Sequence, residues 1–449
     1  MPSHSLIKHS TLYRIALVLF VCILVLHGTH IRNRASVAVP GVDWLVLARL
    51  AACGFAFVIG IILIPKNVSW GFGAKAVILY VLAAWISIVN TPYPMLVGGY
   101  ACLLLGVSTL TIALVYHARD IAQLEKIEKV WFFTVAIFVV KDAVTALICT
   151  QASPFPGHSR LGMGVTHATE LSLFSVLIFW MSFGMKSRRY RMILWPFRVF
   201  LIFVIIAAKS RIPILGFAMG GFCYFLLSTR DYLKRGVVIS CAGCLVVFLL
   251  LALTLGQTWA SGMSNYMKRG QDTKELTSFT GRTFIWRHVL KESRRSPLVG
   301  RGFSVSRLTM GDIRDADWEW EPPHCHNEML EVFFNTGLFG LVPFIAMLLY
   351  SLTWILHSAR LQSIFTRSLA LHAMFLVVML FVSAMFEVRL SGKISPVQPL
   401  FFFYLMMLDR RGYFRKLQRQ LNKEDIPRVK GLARSKEQVF PAQILFNPS

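Results

Sequence analysis

Acidic residues are scarce in this chain: 22 Asp and Glu stand against 47 Lys and Arg in 449 residues, and charged residues of both signs make up only 15%. Soluble domains carry about a quarter charged residues, so this deficit excludes an ordinary water-soluble enzyme. A P-loop, a dinucleotide fingerprint, internal repeats and low-complexity tracts are missing as well. Disorder is excluded from the other side, because 55% hydrophobic and 13% aromatic residues leave too much apolar surface to keep in water. Cysteines number eight. Cys22, Cys53, Cys102, Cys223, Cys241 and Cys244 fall in apolar runs, where a thiol behaves as a small hydrophobe. The Cys241-x-x-Cys244 spacing thereby loses its redox reading. Cys325 reads as exposed and without an obvious disulfide partner.

What the chain has instead is long apolar runs. A membrane span needs about 20 mostly apolar residues, and twelve stretches qualify: 12–28, 44–64, 74–90, 95–116, 130–149, 168–185, 193–208, 212–228, 236–256, 336–356, 368–386 and 396–408. The first follows Lys8 and Arg14, but Ser36-Val37-Ala38, the nearest small-residue site, lies well beyond it, so an uncleaved anchor is expected. The net charge of +25 would suggest nucleic acid in a soluble protein. Here the basic residues sit between apolar runs, which is how a polytopic protein records its orientation. Arg119, Lys126 and Lys129, then Lys186, Arg188, Arg189 and Arg191, then Arg230, Lys234 and Arg235 fall on one side, with the tail after Asp409. The expectation is an all-α polytopic membrane protein with both termini cytoplasmic. It divides into helices 1–9 (residues 1–256), one large outer loop (257–335), helices 10–12 (336–408) and a basic tail (409–449) lying against anionic headgroups.

Three outer-face features could carry chemistry. Lys209-Ser210-Arg211-Ile212-Pro213 opens the eighth span; Ser210 suits an N-cap, Pro213 suits a first turn, and two cations at a helix N-terminus suit a phosphate. Snorkelling of both side chains to the headgroups is the competing reading. Thr280-Gly281-Arg282 precedes Phe284, Ile285, Trp286, Val289 and Leu290, an amphipathic stripe with Arg282 in its first turn. A solvated surface arginine is the alternative there. Pro322-Pro323-His324-Cys325-His326-Asn327 leads into an amphipathic helix expected to start near Asn327 and break at Gly337, just before the tenth span. An exposed imidazole with an unperturbed pKa of about 6.5 takes a proton at neutral pH. The same histidines, with Asp312, Asp315, Asp317, Glu319 and Glu321, could instead hold a metal, or have no role. The loop 257–335 nets only +1, yet its ten Lys and Arg at 268–307 are segregated from seven acids at 312–331. Such segregation suits a site that grips an anionic donor and activates a hydroxyl.

His326-Asn327, followed by Gly337-x-x-Gly340, resembles the signature of the O-antigen ligase and polymerase superfamily. So do the twelve-span layout with one large loop before span ten, Ser210-Arg211 at a span start, and Gly281-Arg282 with Trp286. The resemblance covers roughly residues 70–410. It implies an inverting glycosyltransferase of the bacterial inner membrane, needing no metal or other cofactor, with its active site on the periplasmic face. His326 would be the general base, and Arg211 and Arg282 would hold the pyrophosphate of an undecaprenyl-linked polysaccharide donor. Lys209, Arg160, Asn327 and Arg389 would be further substrate-binding residues, Arg160 lying in a loop with His158 and His167. Within the superfamily, the short basic tail points away from a protein O-oligosaccharyltransferase, and a single large loop points away from a polymerase. The leading expectation is an O-antigen ligase acting on lipid A–core of lipopolysaccharide, with no nucleic-acid partner. A twelve-helix transporter of lipid-linked sugars is the reading from another class, suggested by Lys141, Asp142 and Glu170 in or near spans. Internal repeats, the usual mark of transporters, are absent.

Overall fold

The computed structural model describes residues 3–28, 44–149, 161, 167–185, 188–208, 210–228, 282–310, 324–357, 361–392 and 394–437. Among these the chain is helical, without strands. In lipid every backbone N–H and C=O must be satisfied within its own segment, and the helix does this. The principal helices are α1 (Ser3–Gly28), α2 (Trp44–Leu63), α3 (Phe72–Ile86), α4 (Pro94–His117), α5 (Ile121–Cys149), α6 (Ala168–Met181) and α7 (Arg188–Ala207). They continue with α8 (Arg211–Ser228), α9 (Arg282–Ser293), α10 (Glu328–Ser351), α11 (Arg367–Ala384) and α12 (Val397–Glu437). Among the described residues, seven stretches are long and apolar enough to cross a bilayer: Thr11–Gly28, Trp44–Leu63, Phe72–Asn90, Pro94–His117, Ile121–Ile148, Glu328–Leu356 and Arg367–Ala384. Ala168–Gly184, Met192–Ala207 and Ile212–Phe222 are shorter apolar helices. The protein is an all-α polytopic membrane protein. The span expected at 236–256 lies outside the described residues. The span expected at 396–408 is the first part of α12, which continues as one helix to Glu437.

Outward faces are apolar, with Phe55, Val58 and Ile61 of α2 and Ile137 of α5 exposed, as lipid-facing side chains must be. Several charged side chains in the bundle have polar partners. Lys141 Nζ meets Asp142 at 2.8 Å. Glu128 of α5 accepts from Tyr404 of α12 and lies 3.1 Å from Nδ1 of His372 of α11, all three buried. Arg198 of α7 donates to the hydroxyl and carbonyl of Ser182 at the end of α6, where helix carbonyls lack partners. At one end of the bundle, Asp409 of α12 accepts from the amides of Gly73 and Ala74 at the start of α3 and from the hydroxyls of Tyr116 and Tyr350. A carboxylate at a helix N-terminus is favoured by the exposed amides and by the dipole.

The opposite end is organised by a break in α10. Gly337 leaves helical geometry at φ 60°, ψ −158°, where the sequence placed the break. The normal acceptors of the Leu338 and Phe339 amides are then out of reach, and the loop after α9 supplies substitutes. Leu338 and Phe339 donate to the carbonyls of Pro297 and Leu298, while the amides of Arg301 and Gly302 donate to those of Phe334 and Asn335. Four backbone groups at the kink are thus used to hold residues 297–302, in keeping with the need to pair buried backbone. A Cβ on Gly337 would stand 2.3 Å from the carbonyl carbon of Leu298. Gly337→Ala is expected to cost about 1–3 kcal/mol in backbone strain alone, together with loss of the α10–loop register. Thermal unfolding in detergent reads the effect, and a Tm equal to wild type would refute the account.

Candidate functional site

Residues 324–327 lead into α10 and pack against α9, Met310 and the segment that follows α11. Asn327 is the N-cap: its Oδ1 accepts from the Leu330 amide at 3.1 Å, and its Nδ2 lies 3.4 Å from the Met385 carbonyl. This is the first-turn bond an Asn makes at such a position. It commits both polar ends of Asn327 to the scaffold. Glu328 is 1% exposed and accepts from the amides of Arg389, Leu390 and Ser391 and from the Ser391 hydroxyl. Glu331, equally buried, accepts from the Cys325 amide, the Ser306 hydroxyl and the Asn335 side chain. Two of the acids that composition assigned to a segregated acidic half are therefore structural acceptors tying three segments to α10.

Cys325 is fully buried, contrary to the exposed position expected. Its thiol packs with Met310, Ile285, Val289 and Phe334, and its carbonyl accepts from Nε1 of Trp286 at 3.0 Å. The bend at 324–327 turns Cys325 inward, while His324 and His326 stay half-buried with their rings together. Burial pushes the Cys325 thiol well up, and the Glu331 carboxylate beside it adds to the effect.

His326 and His324 have ring centroids 4.1 Å apart. His326 has φ 51°, one of two non-glycine residues with positive φ among those described, and its amide donates to Nδ1 of His324 at 3.1 Å. Nε2 of His324 lies 3.8 Å from Glu387, which is also 3.8 Å from Nη2 of Arg389. Arg282 opens α9, as the sequence proposed, with its guanidinium 5.8 Å from the Phe386 ring. The imidazole at 326 is not the exposed, unperturbed group expected. Burial lowers its pKa to about 3, the cationic form of His324 adding to this, with further contributions from Arg282 and His167 and an opposing one from Glu387. His324 is likewise pushed down to about 3, by burial first and then by Arg389, His167 and Arg282. Both rings are neutral at physiological pH.

Ligand atoms of His324, His326 and Glu387 lie within 4.8 Å of one another, close enough to surround a metal ion. Two features oppose that use. Nδ1 of His324 accepts an N–H, so its proton is on Nε2, the nitrogen that would have to offer a lone pair beside Glu387. Arg389 and Arg282 also place positive charge on the spot a cation would take. The acids Asp312, Asp315, Asp317, Glu319 and Glu321 lie outside the described residues, as do Arg160, Lys209, Thr280 and Gly281.

Arg211 is the first residue of α8, and the Ile214 amide donates to the Ser210 carbonyl at 3.3 Å. α8 runs antiparallel to α11, since Gly216 packs on Met379 and Gly220 on Phe375. The start of α8 is therefore level with the end of α11, where the chain leads into Phe386, Glu387 and Arg389. His167 precedes α6 and acts electrostatically on both histidines. The sequence named His326, Arg282 and Arg389 as site residues, and these are together at one end of the bundle. Glu387 and the work of His324 were missed. No motif marks Glu387, which lies next to residues 389–391, the segment anchored by Glu328.

Comparison with known proteins bears on the same residues. A family model described as O-antigen ligase matches residues 196–345. A Rickettsia bellii (strain RML369-C) protein described as "Putative polysaccharide ligase" is 27% identical over 158 residues. That match takes in 33% of this chain and 36% of the relative, so the similarity spans about a third of each. Arg389 and Glu387 lie beyond the matched family segment. The stretch that matches this family model, residues 196–345, carries Arg211, Arg282, His326 and the Gly337 kink.

Proposed function

We propose that this protein is an O-antigen ligase, an inverting glycosyltransferase that moves polysaccharide from undecaprenyl pyrophosphate to lipid A–core at the periplasmic face of a bacterial inner membrane. The observation that carries the reading is a neutral, half-buried His326 with the guanidinium groups of Arg282 and Arg389 acting on its surroundings. Nε of Arg389 is buried without a hydrogen-bond partner among the described residues, a donor available to an anionic ligand. In the step proposed, a hydroxyl of the acceptor attacks the anomeric carbon on the face opposite the leaving group. Its proton passes to a ring nitrogen of His326, a C–O bond forms, and the bond from the anomeric carbon to the pyrophosphate oxygen breaks. The electron pair leaves with the pyrophosphate. Arg282 and Arg389, with Arg211 at the start of α8, stabilise the charge growing on that oxygen. Lys209 and Arg160 are further substrate-binding residues in this reading, and Asn327 serves by capping the helix that follows His326. Fixed guanidinium groups supply the charge neutralisation, so the step needs no metal.

A polymerase would use the same chemistry on a different acceptor. Reconstitution in vesicles with lipid-linked polysaccharide and two acceptors, lipid A–core and a lipid-linked single repeat unit, separates the two. Transfer to lipid A–core is the expected result. Elongation of the repeat unit alone would make the protein a polymerase, and translocation of donor without a new glycosidic bond would make it a transporter.

A further inference from the structure

We infer that His324 and Glu387 are positioning residues for His326: His324 holds the left-handed backbone on which His326 stands, and Glu387 fixes the His324 tautomer that allows this. The inference rests on the reading of His326 as the base. A side chain with a Cβ meets steric resistance at positive φ, so His326 needs something to hold it at φ 51°. The bond from its own amide to Nδ1 of His324 at 3.1 Å fixes the peptide plane from which this torsion starts, and so the turn that presents His326. It is the closure, two residues apart, by which Asn and Asp side chains organise turns.

Neutral imidazole accepts at one nitrogen only while its proton is on the other. His324 must therefore carry its proton on Nε2, the atom that faces the Glu387 carboxylate at 3.8 Å. The carboxylate favours that tautomer, because N–H dipole and negative charge attract. With the proton on Nδ1, two donors would point at each other and a lone pair would face the carboxylate. Glu387 is itself placed by Arg389, whose amide is bound to buried Glu328. The order runs from the first turn of α10 through Glu328, Arg389, Glu387 and His324 back to His326, two residues before that turn. Neither His324 nor Glu387 has to touch substrate for this.

Long-range ¹H–¹⁵N NMR of the full chain in micelles, with ¹⁵N-histidine, reads the His324 tautomer without any substrate. The proton is expected on Nε2 in the wild type, with the Nδ1–H form gaining population in Glu387→Ala. A His324 proton on Nδ1 in the wild type, or a tautomer indifferent to Glu387→Ala, overturns the inference. In the transfer assay, His324→Ala is expected to lower kcat by about 10²-fold, as misplacement of a reacting group does, with the KM for donor unchanged. His324→Asn, which retains an acceptor at this position, is expected to restore most of that loss. Wild-type kcat in His324→Ala, or a loss that Asn fails to restore, counts equally against it. Activity surviving in His326→Ala would sink the proposed base instead, and would leave the NMR result to decide the tautomer.

Discussion

Substituting His326 by Asn is expected to lower the rate of sugar transfer by about 10²- to 10⁴-fold, the usual contribution of a positioned general base. Asn is the informative replacement, because it tolerates left-handed φ and cannot take the proton. The helices should remain folded, since the ring at 326 is not part of the buried core. Laddered lipopolysaccharide formed at wild-type rate by this variant would remove His326 from the mechanism. The pH dependence offers a second reading. His326 loses its proton at about 3 in the folded chain, so the base form predominates at every higher pH. The acid limb attributable to this group lies near 3, and the rate should be flat between about pH 5 and 7 as far as His326 decides it. A limb near the ordinary histidine value of about 6.5 would contradict the burial argument. Stability moves in the opposite sense to a stabilising ion pair. The folded pKa of both histidines lies below the unfolded one, so the unfolded chain takes up protons first. Stability is therefore expected to fall as pH drops from about 6.5 towards 3.

Glu328→Ala is expected to destabilise the protein by about 3–5 kcal/mol, the range for removing one partner of a buried charged network. The carboxylate is 1% exposed and accepts from three consecutive amides, those of Arg389, Leu390 and Ser391, and from one hydroxyl. Its loss leaves these donors buried and unpaired, which costs more than the bonds were worth. Glu328→Gln retains one acceptor oxygen and should lose less. Because Glu387 and Arg389 depend on this anchor, Ala should also lower transfer in the fraction that remains folded. Thermal unfolding and assay of the same preparation separate the two effects. A variant with unchanged Tm would show that the 389–391 segment holds its place by other means.

Much of this was legible in the residues. Apolar runs set the helices because membrane burial leaves backbone no alternative to internal hydrogen bonding. Gly337 marked the kink and Asn327 the helix start, since each residue type has a local conformational reason to be there. Arg282 at the head of α9 followed from its amphipathic stripe. The inward turn of Cys325 was not legible: its burial depends on Trp286, Met310 and Glu331, which come from other segments. The acids at 328 and 331 looked like part of a charged surface, and composition alone cannot separate a solvated carboxylate from one that accepts three amides.

By itself, then, the sequence determined that this is a helical membrane protein, where its helices begin and break, and which histidine and arginines stand at helix starts. These are local matters, governed by hydropathy, capping and the φ that a residue tolerates. Only the tertiary structure decided the state of the site. Burial among α9, α10 and the end of α11 turned an ordinary imidazole into one neutral far below pH 6.5. The Glu328 anchor brought Glu387 within 3.8 Å of His324. Desolvation and long-range pairing depend on what a residue is packed against, and no spacing within its own segment records that.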